Sequence, residues 1–218
     1  MSPPPTAGPR PLKSRGSPLA TFVFTVIFTA IWNGILSVFV YHLGRDWRRG
    51  RGSVFPGLCL IPFILIGIGA LVAVVVTFLK LFNPRAQLVC NPSVPLGEMA
   101  DLGWITSGRT SRMTTFRITL QGREEATYRR GTDTTTDTSI FFKQVLLESQ
   151  NPAEIERGRI RFSVPETTMH SFTSSNNKVV WFFAVDGEIP HWPDMHEEFT
   201  LEVLPVRMGP ATAQPEGR

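Results

Sequence analysis

Two apolar runs near the N-terminus restrict this chain more than any other feature. Leu19–Tyr41 holds 23 residues without a charge, and no charge occurs between Gly52 and Leu79. A helix rises ~1.5 Å per residue and the hydrocarbon core of a bilayer is ~30 Å thick, so each run is long enough to span it. The expected organisation is a Pro-rich disordered tail (1–18), a first transmembrane helix (19–41), an Arg-rich loop (42–52) and a second transmembrane helix (53–80). A β domain (87–206) and a disordered C-terminal tail (207–218) complete it.

The net charge of +4 hides a split. Residues 1–87 carry nine Lys/Arg against Asp46 alone, hence +8, and residues 88–218 carry 13 basic against 17 acidic residues, hence −4. The basic excess therefore sits on the flanks of the apolar runs, where cations meet lipid headgroups, so no nucleic-acid partner is expected. Cys59 lies within the second run and Cys90 beyond it, so no disulfide is expected between them. If exposed, Cys90 would serve as a thiol probe of topology.

The tail, with six prolines, has no apolar periodicity. The first run is too long for the ~7–15-residue core of a signal peptide and lacks a small-residue cleavage site, so it reads as a retained helix. Along it Thr21, Thr25, Thr29, Asn33 and Ser37 fall four apart; in the second run Gly69, Ala73 and Thr77 do the same. Rows of small and polar residues let helices approach and hydrogen-bond without water, and Asn33 is the expected interhelical donor. The competing expectation is that the hydroxyls bond back to their own helix. In the loop, Trp47 and four arginines suit the headgroup zone. Basic residues on the two sides number five against four, and the dense cluster in a short loop tips the expectation towards loop inside and both termini outside.

From Gln87 the texture changes to period-two alternation. Phe116, Ile118 and Leu120, then Ile160, Phe162 and Val164, then Phe199, Leu201 and Val203 alternate with polar or charged residues. Ser139–Leu147 and Lys178–Val185 read as further strands, the latter central because it is apolar on both faces. With Gln87–Cys90, Gly97–Thr106 and Glu124–Arg129 this predicts about eight strands, parted by turn signals such as QGREE, RRGTD and SSNN. The fold class expected is a two-helix transmembrane hairpin followed by an all-β antiparallel sandwich.

The stretches RGRIRFSVP, HSF and NNKVVWFFAVDGEIPHWPDMHEEFTLEVLPV resemble the closing strands of arrestin-like and immunoglobulin-like sandwiches. The layout of two spans, then CNPSVPLGE leading to Trp104, is similar to that of bacterial two-pass membrane proteins of unknown function carrying such a domain. The resemblance covers residues 88–206 and implies a sandwich and an interaction role, with no catalytic residues. The inter-sheet cysteine pair of immunoglobulin domains is missing, so Trp181 has no disulfide to pack on.

Chemistry is sparse. His191, Asp194, His196, Glu197 and Glu198 in HWPDMHEE have metal-ligand side chains, but their spacing matches no mechanistic motif, and a polar loop between strands is the expectation. Asp133 and Asp137 in GTDTTTDTS lack the order of a calcium loop. His170 beside Ser171 is a sequence neighbour, with no nucleophile motif around it. Catalytic, cofactor and metal residues are therefore set at none. Arg157, Arg159 and Arg161 alternate along one strand and share a face; the expectation is a solvated row paired with glutamates, against a role towards anionic lipid or an acidic partner. The expected function is a membrane-anchored, non-catalytic module for protein binding or scaffolding in the bacterial inner membrane, the sandwich leaning extracytoplasmic. Its partners are the lipid bilayer and an unknown protein, with a homo-oligomer left open. The alternatives are an accessory subunit of a transport or secretion assembly and, behind it, a metal-assisted hydrolase on His191–Glu198.

Overall fold

A computed structural model describes residues 8–131 and 133–206. The chain divides into two compact units: one takes residues 16–83 with 191–193, the other residues 8–15, 84–190 and 194–206.

The helical unit holds α1 (Pro18–Arg48) and α2 (Val54–Lys80). Ser17 caps α1 by accepting the Ala20 N–H, with Pro18 already at helical φ in the first turn. α1 continues through residues 42–48, where a loop is expected from sequence. Charge ends an apolar run without ending a helix; the helix stops where Gly50 takes φ 69°. There the Gly50 N–H reaches the Trp47 carbonyl (3.1 Å) and the Arg51 N–H reaches that of Asp46 (3.0 Å), a Schellman ending.

The seam between the helices is partly the expected one. Thr29 Oγ1 donates to the Ala70 carbonyl (3.2 Å) and Asn33 Nδ2 to that of Gly67 (3.4 Å). Trp32 Nε1 adds a bond to the Phe63 carbonyl (3.2 Å). Thr21, Thr25 and Ser37 bond instead to carbonyls of their own helix. On α2 the buried residues are Gly67 and Ala70, whereas Gly69 is exposed and Thr77 bonds back to Ala73. The correction has a geometric cause. A strict four-residue row winds around a 3.6-residue helix, so contact follows alternating steps of three and four: Phe22, Thr25, Thr29, Trp32 and Leu36.

The β unit has eleven strands among the described residues: β1 (Arg10–Pro11), β2 (Ser14–Arg15), β3 (Arg85–Cys90), β4 (Ser93–Pro95), β5 (Met99–Ser107), β6 (Thr115–Arg130), β7 (Asp133–Ser149), β8 (Arg157–Ser163), β9 (Phe172–Thr173), β10 (Asn177–Glu188) and β11 (Met195–Leu204), with a short α3 (Pro152–Glu156) before β8. The smaller sheet runs β1-β3-β5-β8; the larger runs β2-β11-β10-β6-β7, with β4 parallel on β11 and β9 on β10. This is the expected two-sheet, largely antiparallel arrangement. Three differences matter. The segment QGREE is no turn: β6 passes straight through it, and register shifts at Ile118/Thr119 and Gly122/Arg123 absorb the irregularity. Asp133–Thr138 lies in β7 and is not a loop. Part of the tail expected to be disordered is a strap: Arg10 pairs with Cys90, and Ser14 with Phe199, joining the edges of both sheets. Proline is tolerated there because an edge strand leaves alternate backbone positions unpaired. Residues 1–7 and 207–218 lie outside the described residues.

The core lies between the sheets. Leu88, Leu102 and Trp104 from the smaller sheet meet Phe116, Ile118, Leu120, Trp181, Phe183, Phe199 and Leu201 from the larger, all buried. Phe162 stacks edge-on against Phe183 at 5.2 Å between centroids. β10 is buried on its other face as well, through Val180, Phe182 and Ala184, with the Arg123 guanidinium 4.8 Å over the Phe182 ring. Its near-continuous apolar run is explained by this double burial. Phe141 and Phe142 of β7 pack on Trp181 at 5.5 and 5.1 Å, within the larger sheet and across the intervening strand β6.

Candidate functional site

The HWPDMHEE residues do not converge. Strand alternation on β11 sends His196 and Glu198 to one face and Glu197 to the other. His196 Nδ1 lies 2.6 Å from Asp186 Oδ1, and Glu198 faces Arg123 (3.6 Å) and Arg15 (3.9 Å). Asp194 accepts the Ile189 N–H (2.9 Å), and His191 stands in the following turn at φ 59°. These side chains are taken up by contacts to neighbouring strands and to the turn backbone. No group of three or more His, Cys, Asp or Glu suited to a metal ion occurs among the described residues. Asp137 accepts the Tyr128 hydroxyl (2.8 Å) across the β6–β7 hairpin, and that bond pushes the Tyr128 phenol up. Ser171 Oγ accepts the Val203 N–H (2.8 Å), while His170 contacts the Ser171 carbonyl; both serve the backbone.

Glu197 is the one buried acid of the cluster. It points between the sheets, where Oε2 accepts the Ala86 N–H (3.1 Å) and Oε1 lies 3.6 Å from Arg85. Burial dominates these two favourable contacts, so its pKa is raised from 4.5. The folded state then holds a proton that the unfolded chain releases, and this contribution to stability is present below pH 4.5 and lost as pH rises through the raised value. Denaturant titrations across that interval should show a stability slope that Glu197→Gln flattens; an unchanged slope would take Glu197 out of the account. Cys90 is fully buried and its thiol is pushed up to about 11, mainly by burial. Buried in this way, it cannot serve as a thiol probe of topology. Disulfide-exchange reagents should leave it untouched until the domain unfolds, and rapid native labelling would contradict this.

What the fold does bring together is the outer face of the smaller sheet. Cross-strand pairing sets Asp101 opposite Arg161, Gly103 opposite Arg159, and Ile105 opposite Arg157. Asp101 of β5, and no glutamate, receives two of the three arginines: Arg159 Nη2 at 3.0 Å and Arg161 Nε at 3.5 Å. Arg157 has no ion pair among the described residues, so the row keeps a cationic surplus of two over one carboxylate. These pairs are exposed and contribute little to stability, at most about 1 kcal/mol each. Beside them runs an open groove of about 600 Å³ lined by Pro9, Val89, Gly103, Ile105, Arg157 and Gly158 among others. Gly103 lowers its floor, and on the inner side Gly158 yields its side-chain space to the Trp104 indole. Trp104 Nε1 in turn donates to the Glu154 carbonyl (2.8 Å), fixing α3 against the start of β8. The alternation of the arginines was visible in sequence. Asp101 and the groove were not, because they arise from strands some 60 residues apart.

No protein-family model and no curated protein matches the chain. Among solved structures the chain is similar to Spo0M, a sporulation control protein from Bacillus subtilis, at 13% identity and a TM-score of 0.39, over 55% of this chain and 49% of that one. The chain thus spans about half of Spo0M, and a likeness this distant carries no argument about either fold or function.

Proposed function

We propose that the chain is a membrane-anchored, non-catalytic module in which α1 and α2 form a two-pass hairpin in a bacterial plasma membrane and an arrestin-like sandwich binds or scaffolds a protein partner at its surface. The observation that carries the anchoring is the surface of the helical unit. Phe24, Ile31, Ile35, Phe55, Leu65 and Leu71 are all exposed on helices of 31 and 27 residues, a surface that lipid would cover. The observation that favours binding is the grooved, cationic outer face of the smaller sheet. A photo-crosslinking residue at Ile105 should yield protein adducts in native membranes, and carbonate washing should leave the chain in the membrane. Release by carbonate, or adducts absent at Ile105, would overturn the respective part.

A second reading, an accessory subunit of a transport or secretion assembly, draws on an apolar groove of about 260 Å³ between the helices, lined by Trp32, Ile35, Leu36, Phe39, Leu60 and Phe63. Such a groove accepts a third helix. Adducts from Ile35 with none from Ile105 would select it. For the side of the membrane, a cysteine placed at exposed Ser175 in a Cys59→Ser background should react with an impermeant reagent in intact cells. Reaction only after lysis would put the sandwich inside.

A further inference from the structure

The two sheets do not end together. β1 and β2 lie on the same side, since only residues 12–13 separate them. Counted from that side, the smaller sheet stops after four strands, at β8, whereas the larger continues to a fifth, β7. β7 is joined to β8 by α3, which closes one end of the step with Ile155 buried. Phe141, Phe142, Leu146 and Leu147 of β7 remain only half-buried there. On the small-sheet side of the step, β8 has β5 as its one strand partner among the described residues. A further hollow of about 300 Å³ at that edge is lined by Asp101, Arg159, Ile160 and Arg161.

Resting on the reading of the sandwich as a protein-binding module, we infer that the β8 edge accepts an extended acidic segment of a partner protein as a fifth strand of the smaller sheet. The open backbone of β8 supplies ladder hydrogen bonds, as in other strand additions. The pleat then dictates the sequence of the guest. Residues opposite Arg157, Arg159 and Arg161 lie on the outer face, where acids two apart meet the row, Arg157 with a full free charge. The intervening residues point inward beside Ile160 and over the half-exposed Phe141 and Phe142, where apolar side chains fit. The guest is an alternating acidic–apolar strand of at least five residues. The register shifts in β6–β7 make the free edge of β7 the poorer acceptor, because a bulged edge breaks regular pairing.

The test uses the full chain in phosphatidylcholine nanodiscs and two fluorescent ten-residue peptides of equal composition, one alternating Glu and Val, one with the glutamates in a block. The alternating peptide should bind more tightly, lose affinity at high salt, and protect amides of residues 157–163 from hydrogen exchange. The triple variant R157Q/R159Q/R161Q should weaken it about tenfold. Should that variant unfold, Arg157→Gln alone removes an unpaired cation and should still weaken binding measurably. Equal binding of the block peptide, protection confined to other strands, or Gln variants that bind normally would overturn the inference. So would an arginine-dependent affinity for phosphatidylglycerol nanodiscs with no response to peptide, which would give the row to lipid headgroups. Adducts from Ile105 that persist while the peptide fails sink this inference alone; loss of both sinks the binding module itself.

Discussion

Trp181→Ala is expected to destabilise the β unit by about 3–5 kcal/mol, measured by denaturant unfolding followed through a domain-specific probe. Trp181 is fully buried on central strand β10 and touches both rings that β7 contributes. Its Nε1 also donates to the Met169 carbonyl (2.9 Å), which ties the 164–171 connection to the core. Alanine leaves a cavity too large for local collapse to fill, and strands an acceptor as well. Trp181→Phe keeps most of the volume and loses the bond, so it should cost less than half as much. A small effect of alanine would mean that Phe141 and Phe142 move in to fill the space. Gly122 tests the same cluster from below, since a Cβ there would stand 2.6 Å from Phe141 Cζ and 3.2 Å from Trp181.

Gly67→Leu is expected to separate the helices of the hairpin, with a loss of about 1–3 kcal/mol. A Cβ at Gly67 would stand 2.7 Å from Asn33 Oδ1 and 3.2 Å from Leu36 Cδ2, on the line where the backbones approach. Leucine would also push apart the Thr29–Ala70 and Asn33–Gly67 hydrogen bonds on either side. Asn33→Leu removes one of those bonds without adding bulk at the glycine, and should cost nearer the ~0.6 kcal/mol typical of such bonds in membranes. Steric trapping or a cysteine pair across the seam reads both variants in detergent. Gly69→Leu is the control: Gly69 is exposed, with open space where its Cβ would stand, so that variant should behave as wild type. Equal loss at Gly67 and Gly69 would refute the assigned seam.

The contrast between Gly67 and Gly69 shows how far a sequence reading reaches. Spacing identified Thr29 and Asn33 as seam residues, because a polar side chain in an apolar run needs a partner nearby. It chose the wrong row on the facing helix, because which side of α2 turns inward depends on how the two backbones dock. The same holds in the β unit. Period-two alternation located β6, β8 and β11, and the near-continuous run of β10, apolar on both faces, marked it as central. Gly122 read as a turn because glycine in a strand gives the same local signal whether the chain reverses or makes room for Phe141.

By itself the sequence determined what is local and additive: two runs apolar enough to cross a bilayer, a basic excess on their flanks, and alternating strands fit for two packed sheets. Tertiary structure alone decided which residues meet. It paired Asp101 with two arginines from β8, scattered HWPDMHEE over two faces and a turn, tied Arg10–Arg15 across both sheet edges, and ended the smaller sheet at β8 where the larger continues to β7. Hydropathy and alternation are carried by neighbours along the chain. Pairings between distant parts of the chain are set by register and docking, which no single stretch encodes.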